Sequence, residues 1–324
     1  MRRALALLLA GVAGVASVAG VTGMAATAPA KPLPAPRIDW HQHLLTKEMA
    51  EPGQAPIDAK ALIAMLDAAG IRRAVVLSNA FRFGNPNAEP MKDEYSRVIA
   101  ENDWTAREAA RYPQRLVALC SFNPLKDYAL DELARCAGDR RFGRGIKLQF
   151  GNAGVNLDEP TDIALLRRVF RAANAHGMAI VVHMRTQRPN PYGAAQALTF
   201  LDEVLTAAPD VPVQIAHLAG GGGYGDAAMD GALDVFMAAI GRQDPRVKNL
   251  WFDIALIAGN ETQGPRIAER LRALGLARLL YGSDGGDPTD PPAKEMLAIW
   301  RKLPLTPEEF RAIESNTAPY LQRK

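Results

Sequence analysis

Short apolar segments alternate with amphipathic helical segments along most of this chain. The apolar segments are rich in Val, Ile and Leu and nearly continuous, which is typical of parallel strands that are buried on both faces. In the intervals, apolar residues recur at helical spacing, as in Ile163, Leu166, Val169 and Phe170. The pattern predicts eight strands, at 37–41, 74–78, 116–122, 145–148, 178–183, 213–217, 250–254 and 279–283.

The number and order of these units predict the fold class. Eight strand–helix units in about 290 residues are typical of a (β/α)8 barrel. The main rival is an open, doubly wound sheet, which would need a glycine-rich turn after its first strand. That position holds Asp39-Trp40-His41-Gln42-His43 instead. We therefore predict an α/β protein with one (β/α)8 TIM-barrel domain over residues 37–324, preceded by an extended Pro-rich lead-in at 29–36.

The first 28 residues have the layout of a secretory signal peptide. Arg2 and Arg3 precede an uncharged apolar stretch, and Ala26-Thr27-Ala28 forms a small-residue cleavage site. We expect the leader to be removed, which places the mature protein in the periplasm or outside the cell, without a stable membrane anchor. The alternatives are an uncleaved anchor and, because of the Arg pair, export by the twin-arginine route.

Composition and charge exclude several classes of protein. The 324 residues are 48% hydrophobic and 23% charged, which excludes a disordered or fibrous chain. The formal net charge is +3, and Arg2 and Arg3 contribute two of these charges. A nearly neutral body gives no electrostatic reason to expect nucleic acid as a partner.

The chain has two cysteines, Cys120 late in a predicted strand and Cys136 late in the following helix. If that helix runs antiparallel to the strand, about ten residues at ~1.5 Å each separate the two positions by ~15 Å. A disulfide needs Cα atoms ~6 Å apart. We expect two buried free thiols, with a disulfide as the alternative.

Four of the five histidines fall at the carboxyl ends of predicted strands, where a barrel carries its active site. His41 and His43 share one face of the first strand, because they are two residues apart. His183 and His217 end the fifth and sixth strands, and Asp284 follows the eighth. Singly, each could be a core or turn residue; together, they predict a site for a divalent metal.

These motifs resemble the amidohydrolase superfamily. The resemblance rests on Asp39-x-His41-x-His43, Gly145-Ile146-Lys147-Leu148, Val182-His183, the segment 216–221 and Tyr281-Gly282-Ser283-Asp284. It covers the chain from about Arg37 to Tyr320. Within the superfamily, the chain is most similar to the amidohydrolase-related branch, which includes aminocarboxymuconate-semialdehyde decarboxylase and lactonases.

The resemblance implies a metal centre and roles for its residues. It makes His41, His43, His183 and Asp284 the ligands of one divalent metal, expected to be zinc. It makes Asp284 also the group that takes a proton from water, and His217 an acid/base or oxygen-polarising group. In two-metal members a lysine like Lys147 is carboxylated and bridges both ions, so a binuclear centre is the alternative to one metal with Lys147 in a supporting role.

The substrate leaves few marks in the sequence. Arg82 and Arg185 lie in loops after the second and fifth strands, where an arginine could bind a substrate carboxylate or could simply be solvated. Asp253 ends the seventh strand and could contact substrate or hold a metal ligand. We expect a small-molecule substrate, with a carboxylate as an option, and leave a homo-oligomer open.

Three functions remain open at this stage. The first is a metal-dependent hydrolase of a small cyclic ester or amide, of the lactonase or amidohydrolase type. The second is a metal-dependent, non-oxidative decarboxylase of a small carboxylic acid, which needs the same ligands. The third is a non-catalytic barrel that has kept a metal. The metal-ligand residues therefore cannot distinguish the first function from the second.

Overall fold

A computed structural model describes residues 33–286 and 290–321 of the chain. The predicted signal peptide at 1–28 lies outside the described residues. Eight strands, β1–β8, span Ile38–Gln42, Arg73–Leu77, Leu116–Ser121, Phe142–Gln149, Ala179–His183, Val213–Ile215, Leu250–Asp253 and Leu279–Leu280. The same described residues contain ten α-helices, α1–α10, which span Ala59–Ala69, Glu94–Ala110, Ala129–Gly138, Phe150–Ala153, Pro160–Ala175, Ala194–Thr199, Ala227–Gly241, Gly264–Leu274, Ala293–Trp300 and Pro307–Ser315.

The strands form one parallel sheet in the order β1 to β8, and the sheet closes into a barrel. Closure runs through the residues that follow β8: the Trp40 amide donates to the Tyr281 carbonyl at 2.9 Å, and the Asp284 amide donates to the His41 carbonyl at 2.8 Å. The helices lie outside and bury one face each, as their 3.6-residue periodicity predicts. The predicted single-domain (β/α)8 TIM barrel is confirmed.

All eight predicted strands exist, and the differences lie at their ends. β4 begins at Phe142, three residues before the prediction, because Phe142 already pairs with Ala118 of β3. The glycines at its start let the two strands pack closely: a Cβ on Gly143 would lie 2.5 Å from Val117 Cγ1. β8 has two residues, since the chain beyond Leu280 turns toward β1. The segments that follow the strands carry the polar residues at the carboxyl end of the barrel.

The expectation of two free thiols was wrong, because the structure joins Cys120 and Cys136 in a disulfide with a Cα–Cα distance of 6.2 Å. Cys120 lies on β3 and Cys136 in the last turn of α3. The expectation neglected residues 122–128 between strand and helix. This connection lets α3 begin beyond the end of β3, so that its last turn lies level with Cys120.

Within the described part of the chain, every helix is too short or too polar to cross a membrane.

Candidate active site

Two histidines at the end of β1 supply the first pair of nitrogen donors. The ring centroids of His41 and His43 lie 5.3 Å apart. His41 Nδ1 lies 3.0 Å from Asp253 Oδ2, and His43 Nδ1 lies 2.7 Å from the Leu77 carbonyl oxygen. A ring nitrogen that donates to such an acceptor leaves Nε2 with a lone pair in the neutral imidazole. Both rings are therefore held with Nε2 as the atom that can bind a metal.

His217 reaches the site from a turn directly after β6. Its backbone has a left-handed φ of 53°, a conformation that costs ~1–3 kcal/mol in a residue other than glycine and persists only where its surroundings hold it. Two contacts do so: its amide donates to Asp253 Oδ1 at 2.9 Å, and its Nδ1 lies 3.0 Å from the Ala255 carbonyl oxygen. His217 Nε2 is therefore directed inward, like the Nε2 atoms of His41 and His43.

Asp284 stands at the point where these nitrogens converge. Its Oδ1 lies 3.2 Å from His41 Nε2 and 3.4 Å from His43 Nε2, and its Oδ2 lies 3.6 Å from His217 Nε2. Asp284 also has a left-handed φ, of 59°, where its amide bonds to the His41 carbonyl. One ligand atom from each of His41, His217 and Asp284 falls within 4.8 Å of the other two.

His183, the last residue of β5, completes the group of histidines. Its ring centroid lies 4.9 Å from that of His217. The four histidines and Asp284 line one cavity of about 230 Å³ at the carboxyl ends of the strands. The structure thus brings together the five residues that the sequence analysis singled out at the ends of four strands.

Burial sets the protonation states of these groups. It lowers the pKa of His41 to about 4, although Asp284 acts in the opposite direction, and it lowers the pKa values of His43 and His183. Burial raises the pKa of Asp284, but its interactions with the rings of His41 and His217 outweigh burial and leave that pKa well below its usual range. Neutral imidazoles around an ionised carboxylate are the forms that bind a divalent metal, so the residues fit such an ion.

Lys147 lies inside the barrel beside His41. Its side chain is buried, and Nζ lies 3.1 Å from His41 Nε2. Burial lowers the pKa of Lys147 to about 8, although Asp284 and Asp253 act to raise it. A substantial fraction of the amine is therefore neutral near that pH, a form that can react with CO2 or accept a hydrogen bond.

Asp253 lies beneath the histidines and does not line the cavity. Besides His41 and the His217 amide, it accepts a hydrogen bond from Gln214 Nε2 at 2.8 Å, and Gln214 Oε1 accepts one from the Tyr320 hydroxyl at 2.7 Å. All of these side chains are buried. Of the two roles that the sequence suggested for Asp253, the structure has the one in which it holds a metal-ligand candidate.

The two arginines singled out from the sequence lie in different places. Arg82 lines the histidine cavity together with Phe81 and Leu256. Arg185 does not line it: its Nη1 pairs with Asp226 at 2.8 Å, and its guanidinium stacks over the Tyr192 ring at 5.4 Å. Only Arg82 is therefore positioned to meet a molecule in the cavity.

Sequence reasoning missed the polar residues that support the ligands. Gln214, inside an otherwise apolar strand, was a usable signal, because a buried amide needs partners. Asp39 accepts from the Ser283 hydroxyl at 2.6 Å and thereby ties β1 to the segment that carries Asp284. Gly282 is required at this junction, since a Cβ there would lie 2.9 Å from His41 Cβ.

Comparisons with known proteins agree with this arrangement. The amidohydrolase family model matches residues 38–319, which include all eight strands. A search of curated proteins gives no match. Among solved structures, an amidohydrolase from a structural genomics programme is 21% identical with a TM-score of 0.64, over 89% of this chain and 100% of that one.

Two further structures have stated activities. The 5-carboxyvanillate decarboxylase of Novosphingobium aromaticivorans, solved with manganese and 3-methoxy-4-hydroxy-5-nitrobenzoic acid, is 16% identical with a TM-score of 0.60, over 89% of this chain and 97% of that one. A probable 2-pyrone-4,6-dicarboxylic acid hydrolase from Acinetobacter baumannii, solved with citric acid, is 16% identical with a TM-score of 0.55, over 85% and 95%. At these identities the likeness shows the fold alone. The family model, in contrast, spans nearly the whole barrel, and the chain therefore belongs to the amidohydrolase family.

Proposed function

We propose that this protein is a metal-dependent hydrolase of a small cyclic ester or amide, of the lactonase or amidohydrolase type. One observation carries the proposal. The imidazoles of His41, His43 and His217 have Nδ1 held by an outer acceptor and Nε2 directed at one carboxylate, that of Asp284. Groups that only filled a core would not need this shared orientation. For His41 and His43 it is the arrangement by which protein ligands are fixed around a divalent ion, and for His217 it places Nε2 beside the proposed ion site.

The proposed cofactor is one zinc ion held by His41, His43, His183 and Asp284. A divalent metal bound there would act as a Lewis acid toward a carbonyl oxygen and would lower the pKa of water. A binuclear centre with carboxylated Lys147 is the alternative, and the lowered pKa of this lysine is compatible with it. The manganese in the decarboxylase named above supports a divalent metal without fixing its identity.

The residues of this chain have separate tasks in the proposed reaction. Asp284 is ionised at neutral pH, so it can accept a proton from the attacking water and pass it to the leaving group. His217 keeps a lone pair on Nε2 while Nδ1 donates to the Ala255 carbonyl, so it can donate a hydrogen bond to the oxygen that gains charge once Nε2 has taken up a proton. Asp253 holds the His41 ring and the His217 backbone in place for both tasks.

The cavity supports a small substrate that carries a carboxylate. About 230 Å³ is close to the lower limit for a ligand pocket. Phe81 and Leu256 give it an apolar wall, and Arg82 offers a guanidinium that suits a carboxylate. We propose that Arg82 binds the acid group while the reactive carbonyl faces the histidines.

A non-oxidative decarboxylase is the second candidate. Arg82 in the cavity favours a decarboxylase as much as it favours a hydrolase. One protein of similar fold is a decarboxylase that was solved with a benzoic acid derivative. The two reactions differ in product, because hydrolysis opens the ring to a new carboxylate, with a proton released from a lactone and taken up by the freed amine of a cyclic amide, whereas decarboxylation releases CO2. Product analysis on lactones, cyclic amides and aromatic acids therefore separates the candidates.

The test compares wild type with Arg82→Gln and, as a matched control, Arg185→Gln. Both variants lose one arginine from a loop after a strand, but only Arg82 lines the cavity. We expect acid release from at least one lactone or cyclic amide, with KM raised ~10-fold or more in Arg82→Gln and unchanged in Arg185→Gln. CO2 release in place of acid would favour the decarboxylase, and metal binding without turnover of any substrate would favour a non-catalytic barrel.

We also propose that the barrel domain of residues 37–324 is exported after removal of residues 1–28. The support is the order of charge, apolar stretch and small-residue site in the leader. N-terminal sequencing of the expressed protein tests this directly. A mature chain that starts near Pro29 is expected, and an intact Met1 in the cytoplasmic fraction would contradict it.

A further inference from the structure

A cleft of about 660 Å³ lies at the end of the barrel opposite the histidines, where the strands begin. It is lined by Arg37, Arg72, Arg73 and Arg115, together with Ile38, Gln114 and Thr317. The arginines come from the starts of three neighbouring strands, β1, β2 and β3. In (β/α)8 enzymes this end is ordinarily the one that serves stability.

The arginines of this cleft have little counter-charge. Arg115 pairs with Asp67 at 2.6 Å and also bonds to the Ile71 carbonyl at 3.3 Å. Within residues 33–286 and 290–321, the guanidinium groups of Arg37, Arg72 and Arg73 have no hydrogen-bond or ion-pair partner. Four guanidinium groups against one carboxylate leave an excess of three positive charges around one concave surface.

Arg73 gives the most specific indication of a ligand. Its Nε is buried and has no hydrogen-bond partner, although an unpaired buried donor costs ~1–3 kcal/mol. The same side chain lines a second cavity of about 600 Å³, whose wall also contains Arg140, Arg144 and His176. Arg73 thus stands between two recesses with a donor that the described residues leave unsatisfied.

We propose that this cleft binds a small organic molecule that carries two phosphate groups. Neighbouring strands lie ~4.8 Å apart, so three strand starts span ~10 Å, which is wide enough for two anionic groups joined by a short carbon skeleton. Phosphates carry about −1.5 to −2 each at neutral pH, which matches the excess positive charge. Guanidinium groups bind phosphate oxygens in pairs, and Gln114 and Thr317 add neutral hydrogen-bonding groups.

Arg73 acts in this proposal as the central anchor, because its side chain is partly buried whereas those of Arg37 and Arg72 are exposed, and its guanidinium would turn on binding so that Nε meets a phosphate. A flat anionic surface, such as a membrane, would meet only the exposed arginines, whereas a small molecule can enter the cleft. The proposal does not depend on the proposed function, since the cleft and the histidines lie at opposite ends of the barrel.

The test measures binding by isothermal titration calorimetry. It uses the full mature chain with its metal, and fructose 1,6-bisphosphate is the probe. We expect one site per chain, no binding of fructose, and weaker binding of inorganic phosphate. Arg73→Gln should weaken binding of the bisphosphate ~10-fold or more. The control Arg107→Gln removes an exposed arginine from α2, outside the cleft, and should leave binding unchanged.

Thermal unfolding separates a ligand site from a structural role. If Arg73 serves a ligand, Arg73→Gln should unfold at the same or a higher temperature than wild type in the absence of the probe, because an unpaired buried donor has been removed. It should also lose the upward shift that the bisphosphate gives to wild type. No binding by wild type at about 10 mM bisphosphate, equal binding by Arg73→Gln, or binding to phosphatidylglycerol vesicles alone would overturn the proposal.

Discussion

Replacing Asp253 with Asn should weaken metal binding without unfolding the barrel. Asp253 is fully buried and accepts four hydrogen bonds, from His41 Nδ1, Gln214 Nε2 and the amides of His217 and Ala255. Burial acts to raise the pKa of Asp253, but His41 and its hydrogen bond outweigh it and lower that pKa, so the group is a carboxylate. An asparagine would place its amide NH2 either at Oδ2, against the donors of His41 and Gln214, or at Oδ1, against the backbone amides of His217 and Ala255, so donors face donors in both orientations.

The size of the effect follows from what is lost. A hydrogen bond to a charged acceptor contributes ~1.5–3 kcal/mol, and in either orientation His41 would lose the charged acceptor that fixes its tautomer. Each ~1.4 kcal/mol corresponds to a factor of ten in an equilibrium constant. We therefore expect Asp253→Asn to bind zinc ~10- to 100-fold more weakly, the range found when groups that hold metal-binding histidines are changed.

The assay is competition for zinc against a chromophoric chelator, with unfolding in urea as the check on the fold. Glu314→Gln is the control, because Glu314 is also a buried carboxylate but bonds to Trp300 and Arg301 and to no residue of the site. Zinc affinity should fall in Asp253→Asn and change little in Glu314→Gln. A folded Asp253→Asn with wild-type affinity would refute the reasoning.

Three further predictions concern pH and the disulfide. Because the pKa of His41 is lowered to about 4, zinc affinity should stay constant as pH falls from 7 to about 5 and drop only nearer 4. A decrease in zinc affinity that begins at about pH 6.5 in competition titrations would contradict this. Burial raises the pKa of Glu101 from 4.5 to about 7, which disfavours the folded state as pH rises through that interval. Glu101→Gln should therefore raise the free energy of unfolding in urea by at most ~3 kcal/mol at pH 8 and give no gain at pH 4. Reduction of the Cys120–Cys136 disulfide, 16 residues apart in sequence, should lower the free energy of unfolding by ~3 kcal/mol, and an unchanged urea midpoint with dithiothreitol would argue against it.

The barrel and its ligand candidates were readable from the sequence because both depend on simple periodicities. Strands buried on both faces are continuous apolar runs, and their number predicted the fold. His41, His183 and Asp284 each follow such a run, and the carboxyl ends of parallel strands meet at one end of a barrel. Position along each strand was therefore enough to predict that these side chains share a cavity.

The features that sequence reasoning missed depend on backbone turns and on contacts distant in the chain. The left-handed φ values that aim His217 and Asp284 inward leave no periodic signal. The sequence suggested that Asp253 could hold a metal ligand but not which one, because its contact with His41 joins residues 212 positions apart. Arg185 lies in the expected loop, yet its side chain turns away to pair with Asp226, because the direction of a loop side chain is set by its nearest partners.

The most direct test of the proposed metal centre is the metal content of the purified mature protein, measured by inductively coupled plasma mass spectrometry beside His41→Ala, Asp284→Ala and Lys147→Gln. The account predicts about one zinc per chain in wild type and in Lys147→Gln, lost from the other two variants. About two metals, falling with Lys147→Gln, would instead indicate a binuclear centre with a carboxylated lysine. No metal in wild type, even after reconstitution with zinc or manganese, would contradict the central claim.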